Sequence, residues 1–441
     1  MGNFKTFKDT LIGYKRWLEA ILLSRAVNPK PPRQLAARNL LLIASTFPPA
    51  INGGAYRPAA LAKYGPEFGW AITVISDSIA KAPTPAGLHL ADTVPKGVRV
   101  LRIENNTGIK PSWRWYSHID GGFLNALSMF RLARRELAEN PPSAVMASGP
   151  RFHSFVAAYY IARYYKAKLI LDYRDEWTEC PFDFVVKGNA DRWWEKRCLR
   201  KADKVIFTTN AQLEHQVKVF RELDRSKCCV IPNGWEPSDF VGDKNQFNGA
   251  AEAVSKLSIS FVGALGTTGN SPGNLLTTIE KVFDRRKDLL QRFKIYFVGD
   301  KSEEDLPALN DFRYPESIGL VENLPRGDAY RLMRESAALL LIYGKSAARY
   351  MPGRVFPYIA AGTPLIVYGA EGEAADLVKD FGAGYIVAES DDGALERALD
   401  DIAEGRHPQR SDKVKPWLDG HTYEKMAQRI IALAEGLAGQ C

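Results

Sequence analysis

Short apolar runs recur along this chain at intervals that leave room for about one helix between neighbours. From residue 39 onward they read LLLIAS at 40–45, AITVIS at 71–76, VRVLRI at 98–103, SAVMAS at 143–148, KLILDY at 168–173, KVIFTT at 204–209 and CCVIPN at 228–233. A strand buried on both faces needs such a run, and parallel sheets bury both faces. Between most of the runs lie helix-length segments such as PAALAKYG, FLNALSMFRLARREL and SFVAAYYIARYY. Strand and helix alternating at this spacing predict parallel sheets with helices on both faces. After a less apolar stretch a second series follows: SISFVG at 258–263, KIYFVG at 294–299, ALLLIY at 338–343, PLIVYG at 364–369 and GYIVAE at 384–389. A chain of 441 residues exceeds one ordinary core, so the two series predict two α/β domains. The expected divisions are a basic segment at 1–38, a first domain at 39–235, a linker at 236–257, a second domain at 258–415 and a C-terminal helix at 416–441.

Ligands of open parallel sheets bind beyond the carboxyl ends of the strands. The loops after the apolar runs are therefore where chemistry is expected. In TFPPAINGGAYRP, 46–58, Gly53 and Gly54 let the backbone approach a ligand, and the helix start behind them favours an anion. A turn that needs two glycines explains them as well. In SGPRFHS, 148–154, His153 near a helix start is either a contact to sugar or acceptor hydroxyls or an exposed residue of the capping region. LDYRDEW, 171–177, crowds Asp172, Arg174, Asp175 and Glu176 at a strand end, where repulsion and pairing shift pKa values. The plainer reading there is a surface Arg–Asp pair beside a packed Trp177. In SAARYMPGRVFPYIAAGTP, 346–364, Arg349 and Arg354 at a helix start suit a diphosphate, or the segment is a connecting helix capped at Gly362. In GAEGEAADLV, 369–378, Glu371 and Glu373 sit at a helix start, where carboxylates answer the helix dipole without any ligand.

Charge is uneven. Residues 1–38 hold Lys5, Lys8, Lys15, Arg16, Arg25, Lys30, Arg33 and Arg38 against Asp9 and Glu19, so six of the eight net positive charges lie there. Phe4, Phe7, Leu11, Tyr14, Leu18, Ile21 and Leu22 recur at steps of three and four within 1–28, one face of a helix. With Lys8, Lys15, Arg16, Arg25 and Trp17 around it, this face predicts an amphipathic helix on an anionic membrane surface, ended by Pro29, Pro31 and Pro32. A helix packed on the first domain is the alternative. No apolar run reaches the ~18–20 residues that span a bilayer, and no secretory signal is legible. Five cysteines, Cys180, Cys198, Cys228, Cys229 and Cys441, show no metal or redox spacing and predict reduced thiols in a cytoplasmic protein, and the basic amphipathic face of 1–28 predicts that it is peripheral at the inner face of the cell membrane.

Taken in order, these segments resemble the family 4 glycosyltransferases from about residue 40 to the end. TFPP…GGAYRPAALAKYG looks like the family's first loop and helix, and RWWEKRCLRKADKVIFTTNAQ like its Glu…Ala-Asp helix-to-strand unit. VIPNGWEPSDF is similar to its Pro-Asn-Gly exit from the first domain, and PGRVFPYIAAGTPLIVYG to its Gly-Lys-x-x-Glu segment. SGPRFHS and LILDYRDEW resemble a subgroup with a Ser-Gly-Pro segment and an Arg-Asp-x-Trp strand end. The resemblance implies a GT-B fold, α/β, with two Rossmann-like domains whose parallel sheets face a central cleft. It implies a nucleotide-sugar donor on the second domain, a saccharide or lipid-linked acceptor on the first, retained anomeric configuration, and neither metal nor cofactor besides the sugar nucleotide as substrate. Carried over by position, Gly53 and Gly54 approach the donor diphosphate, Asp175 meets the transferred sugar, and Arg354 takes the family's basic position. His153 and Arg174 stand beside Asp175 as catalytic candidates; Gly263, Lys345, Arg349 and Glu371 complete the donor-binding set.

Two positions depart from the pattern. The family's Glu, seven residues, Glu becomes Arg349 and Pro357, and proline offers no acceptor for ribose hydroxyls. The stretch GALGTTGNSPGN at 263–274 lacks the family's Arg and Lys, leaving the diphosphate to backbone amides, Arg354, Arg349 or Lys345. The expected function is sugar transfer from a nucleoside-diphosphate sugar to an acceptor hydroxyl, in cell-surface glycan or lipid-linked saccharide synthesis, with no nucleic-acid partner. The rival is a GT-B binding or scaffold partner with little catalysis; another GT-B enzyme, such as a sugar-nucleotide epimerase, is a third reading.

Overall fold

Each apolar run forms a strand, and the most continuous runs take the most buried places. The computed structural model describes residues 38–79, 82–104, 118–240, 257–266, 269–369 and 371–438. Two compact units result. The first takes the chain as far as Pro232 and again from Tyr423; the second is Asn233–Thr422.

Among the described residues the first unit holds β1 (Asn39–Ala44), β2 (Ala71–Ser76), β3 (Arg99–Arg102), β4 (Ala144–Gly149), β5 (Lys168–Tyr173), β6 (Lys204–Phe207) and β7 (Cys228–Val230). They form one sheet in the order β3-β2-β1-β4-β5-β6-β7, and every pairing is parallel. Central β1 and β4 are buried throughout, whereas edge strand β3, with an arginine at each end, is half exposed. Leu42 lies level with Val74 on one side and Met146 on the other.

The second unit holds β8 (Leu257–Val262), β9 (Phe293–Val298), β10 (Ile318–Val321), β11 (Ala338–Ile342), β12 (Leu365–Tyr368) and β13 (Gly384–Val387), in the order β10-β9-β8-β11-β12-β13, again all parallel. Strand β10 was not expected from sequence. Its four residues, IGLV, sit at the sheet edge with Leu320 46% exposed, so nothing there demanded a long apolar run. Both units are doubly wound Rossmann-like sheets with helices between the strands, the pair of domains that defines the GT-B class.

The segment expected as one helix over 416–441 forms two, Val414–Gly420 and Tyr423–Ala438. The break has a local cause: the His421 carbonyl accepts from the Trp235 amide at 3.1 Å, and Thr422 bridges Trp235, so this backbone is spent on pairing instead of continuing a helix. The last helix belongs to the first unit. Met426, Ala427, Ile430, Ile431 and Ala434 recur at helical spacing and bury one face against Leu61, Trp70 and Ile72. Among the described residues no helix is long and apolar enough to cross a membrane. The amphipathic segment expected at 1–28 lies outside the described residues.

Candidate functional site

In each sheet the strand order reverses direction once, between β1 and β4 and between β8 and β11. Loops at the carboxyl ends of these strands diverge there and leave a crevice. The ten residues singled out from sequence follow β1, β4 and β5 in the first unit and β8, β11 and β12 in the second.

In the first unit, the loop after β1 meets the loop after β5. A Cβ on Gly54 would lie 2.4 Å from an Arg174 guanidinium nitrogen, so glycine is what lets that side chain cross the loop. Asn52 accepts from the Gly54 amide at 2.8 Å and holds the turn, while Gly53 faces open space. Arg174 also donates to the Pro150 carbonyl at 3.0 Å, which ties in the loop after β4. Its Nε is buried without a hydrogen-bond partner among the described residues. Beside it the Asp175 carboxyl is pushed up to about 6 by burial, a rise that Arg174 partly offsets and Glu176 adds to. A carboxyl poised near neutrality at a strand end is a common arrangement for proton transfer or for facing a developing cation.

His153 opens the helix His153–Tyr165. It is buried, so the exposed capping role does not hold. Its Nε2 lies 3.0 Å from an Asp77 carboxylate oxygen, and Nδ1 has no partner among the described residues. Gly121, at φ +74°, gives that ring its room; a Cβ there would stand 1.9 Å from Nδ1. Asp77 was missed in the sequence, although it follows the run AITVIS directly and carries the same strand-end signal as Asp175.

Asp172 does something different from its neighbours. It receives two hydrogen bonds from Arg57, at 3.0 and 2.8 Å, and one from Ser148 at 2.8 Å, all buried. Arg57 donates further to the Pro232 carbonyl at 2.8 Å. This is a structural pair, joining the helix Tyr56–Tyr64 to the sheet. Trp177 is likewise core: it stacks on Phe152 at 5.0 Å and donates to Asp191 at 2.9 Å.

In the second unit Gly263, at φ +134°, lies under Arg354. A Cβ would stand 3.0 Å from the guanidinium carbon. The guanidinium covers the Phe261 ring at 4.3 Å, and one nitrogen donates to the Ala264 carbonyl at 3.2 Å. The other terminal nitrogen is buried without a partner, and no carboxylate pairs with Arg354 among the described residues. Burial lowers its pKa, with the Tyr358 hydroxyl acting in the opposite sense. Tyr358 is itself pinned by the Val262 amide at 2.8 Å. The loops after β11 and β12 pack together, Gly372 lying against the Ala348 carbonyl, where a Cβ would be 2.2 Å away. Arg349 is half-buried in the first of these loops, and Lys345 is exposed. Glu371 is exposed and precedes the helix Glu373–Asp380, outside its first turn. Pro357 is the third residue of the helix Val355–Ala361, a position whose amide has no helical acceptor to lose. Proline is therefore tolerated there, where the resemblance led one to expect a carboxylate.

The model of the glycosyl transferase 4-like domain matches residues 52–234. Solved structures similar over nearly the whole chain include a sucrose-phosphate synthase from Thermosynechococcus elongatus, with 14% identity, TM-score 0.67, and coverage of 92% of this chain and 100% of that one. A glycosyltransferase from Rickettsia africae has 14% identity, TM-score 0.63, and coverage of 91% and 99%. Anabaena Alr3699/HepE, solved in complex with UDP and glucose, has 12% identity, TM-score 0.63, and coverage of 89% and 98%. These likenesses establish the GT-B fold. A comparison with curated protein sequences gave no match.

Proposed function

We propose that this chain moves a sugar from a nucleoside-diphosphate sugar to an acceptor hydroxyl, with retained anomeric configuration. The observation that carries the reading is Arg354. A guanidinium stays charged in a protein, and one whose unused donor nitrogen is buried with no carboxylate nearby calls for an anion. A donor diphosphate supplies it, and the bond from sugar to diphosphate breaks toward that same charge. In the first unit, Asp175 is the carboxylate we assign to the oxocarbenium-like sugar, with His153 and Arg174 as donors to hydroxyls. The match of a glycosyl transferase 4-like domain to residues 52–234 supports the reaction class. The HepE structure with UDP and glucose supports the donor class. Guanidinium and backbone amides supply the stabilising charge, so the reading needs no metal and no cofactor beyond the sugar nucleotide.

Calorimetry tests the donor assignment. Arg354→Ala is expected to weaken nucleoside-diphosphate binding by roughly 10- to 100-fold and leave nucleoside binding nearly unchanged, the scale of one charge-assisted hydrogen bond. Equal losses for both ligands would contradict a diphosphate role. A second reading, a GT-B scaffold with little catalysis, is favoured by Pro357, which removes the usual ribose acceptor. A wild-type chain that binds no nucleotide of a full panel, and hydrolyses no sugar nucleotide, establishes that reading instead.

The acceptor we assign is saccharide or lipid-linked, in synthesis of surface glycans, with residues 1–28 holding the protein reversibly at an anionic membrane. Each basic residue near such a surface contributes about 1 kcal/mol, and this segment has Lys8, Lys15, Arg16 and Arg25 beside its apolar face. Removing residues 1–30 is expected to abolish co-sedimentation with anionic liposomes while donor hydrolysis continues. Undiminished sedimentation of the shortened chain sinks the anchor.

A further inference from the structure

A second concentration of positive charge lies at the opposite end of the first unit. The helix His153–Tyr165 begins at the candidate site and, at 1.5 Å per residue, ends about 20 Å away. Its C-terminal end and that of the helix Asn189–Lys201 border a cavity of about 520 Å³ whose lining includes Arg163, Lys166, Arg197, Arg200 and Lys201. Cations at helix C-termini are ordinary, because each end carries roughly half a negative charge. Two ends account for about one of these five cations. Arg200 shares Glu222 with Lys196, at 3.5 and 3.4 Å, and Lys201 lies 3.8 Å from Asp203. Arg163, Lys166 and Arg197 have no carboxylate partner among the described residues.

The two guanidinium groups are held in place all the same. Arg163 donates to the Tyr159 hydroxyl at 2.6 Å. Arg197 lies 4.0 Å over the Trp193 ring with its Nε buried and unpaired. Lys166 occupies a left-handed cap position, φ +55°, that glycine or asparagine ordinarily takes. The cavity thus keeps about two positive charges in excess, with fixed guanidinium groups at its wall.

We propose that this cavity binds a phosphate-bearing anion, a diphosphate or a phosphate-ester head group, independently of the sugar-transfer reading. Guanidinium groups match phosphate oxygens bidentately, and a phosphate carries the double charge that a single carboxylate lacks. The volume falls within the range of small-molecule sites. Tyr159 is buried and Trp193 is covered by Arg197, so no open aromatic face waits for a base, which argues against single-stranded nucleic acid.

The test compares the full-length chain with Arg163→Gln/Lys166→Asn. Both side chains are exposed, and asparagine accepts the left-handed cap, so the fold is kept; an unchanged melting temperature verifies this. Two probes are used: inorganic pyrophosphate by calorimetry, with Arg354→Ala added to both proteins so that the donor site contributes to neither, and vesicles of phosphatidylcholine with phosphatidic acid by sedimentation. Residues 1–28 contribute equally to both proteins. Pyrophosphate affinity lower by about tenfold or more in the variant supports the site with a free phosphate compound as its source. Vesicle binding weakened in the variant, with no effect on pyrophosphate, supports it with a lipid head group as source. A variant that equals wild type in both arms overturns the proposal and leaves the cations as dipole compensation.

Discussion

Asp175→Asn is expected to lower turnover by about 100-fold, the scale of a positioned catalytic group, in a protein that still folds. The argument combines place and charge. Asp175 follows β5 at the carboxyl edge of the sheet, beside Arg174 and the loop that carries Gly54. Burial holds its carboxyl at about 6, well above the ordinary value near 3.8. If the carboxylate is the active form, wild-type turnover falls as pH drops through about 6, and asparagine removes that acid limb. Stability moves the other way. With a raised folded pKa, the group's contribution is fully present below about 3.8 and is lost as pH rises through about 6. Asparagine is therefore expected to cost no stability at pH 8. A merely structural Asp175 would show the reverse: a lower melting temperature and an unchanged pH profile. Wild-type turnover in the folded variant removes Asp175 from the site.

Why some of this was legible in the sequence and some was not follows from the range of the interactions. Runs such as LLLIAS and SAVMAS announce central strands because a strand buried on both faces needs every side chain apolar. The same signal fails for β10, where half-exposed edge residues need no such run. The positions of Gly54, Arg174 and Asp175 beyond strand ends could be read from order along the chain. Their mutual placement could not: Arg174 crosses over Gly54, 120 residues earlier in the sequence, and only the sheet order β1-β4-β5 brings them near. Asp172 and Asp175 look alike in LDYRDEW, three residues apart. One turns into the core against Arg57 and the other keeps an open side. Strand alternation allows either assignment until the partner on a distant helix is known. The last helix shows the same limit, since its apolar face is plain but its membership of the first unit rests on Leu61, Trp70 and Ile72.

Asp172→Asn is expected to destabilise the first unit by about 3–5 kcal/mol, the cost of leaving a buried guanidinium without its counter-charge. Arg57 and Asp172 are 3% and 0% exposed, and their two hydrogen bonds are joined by one from Ser148, so water cannot replace the lost partner. For a unit of this size the melting temperature should fall by roughly 10 °C. The penalty belongs to the orphaned charge more than to the pair, so Arg57→Met/Asp172→Leu should recover most of it, since well-packed apolar replacements of buried pairs are often neutral. Arg57 lies one residue into the helix that follows Gly53 and Gly54, and its third hydrogen bond fixes the Pro232 carbonyl. The recovered double variant should therefore melt near wild type and yet bind its ligands more weakly, because the loop before the helix has lost its tether to β5. Melting curves for the two variants decide the first point. Asp172→Asn within about 1 kcal/mol of wild type would mean that the pair acts like an exposed salt bridge, against its burial.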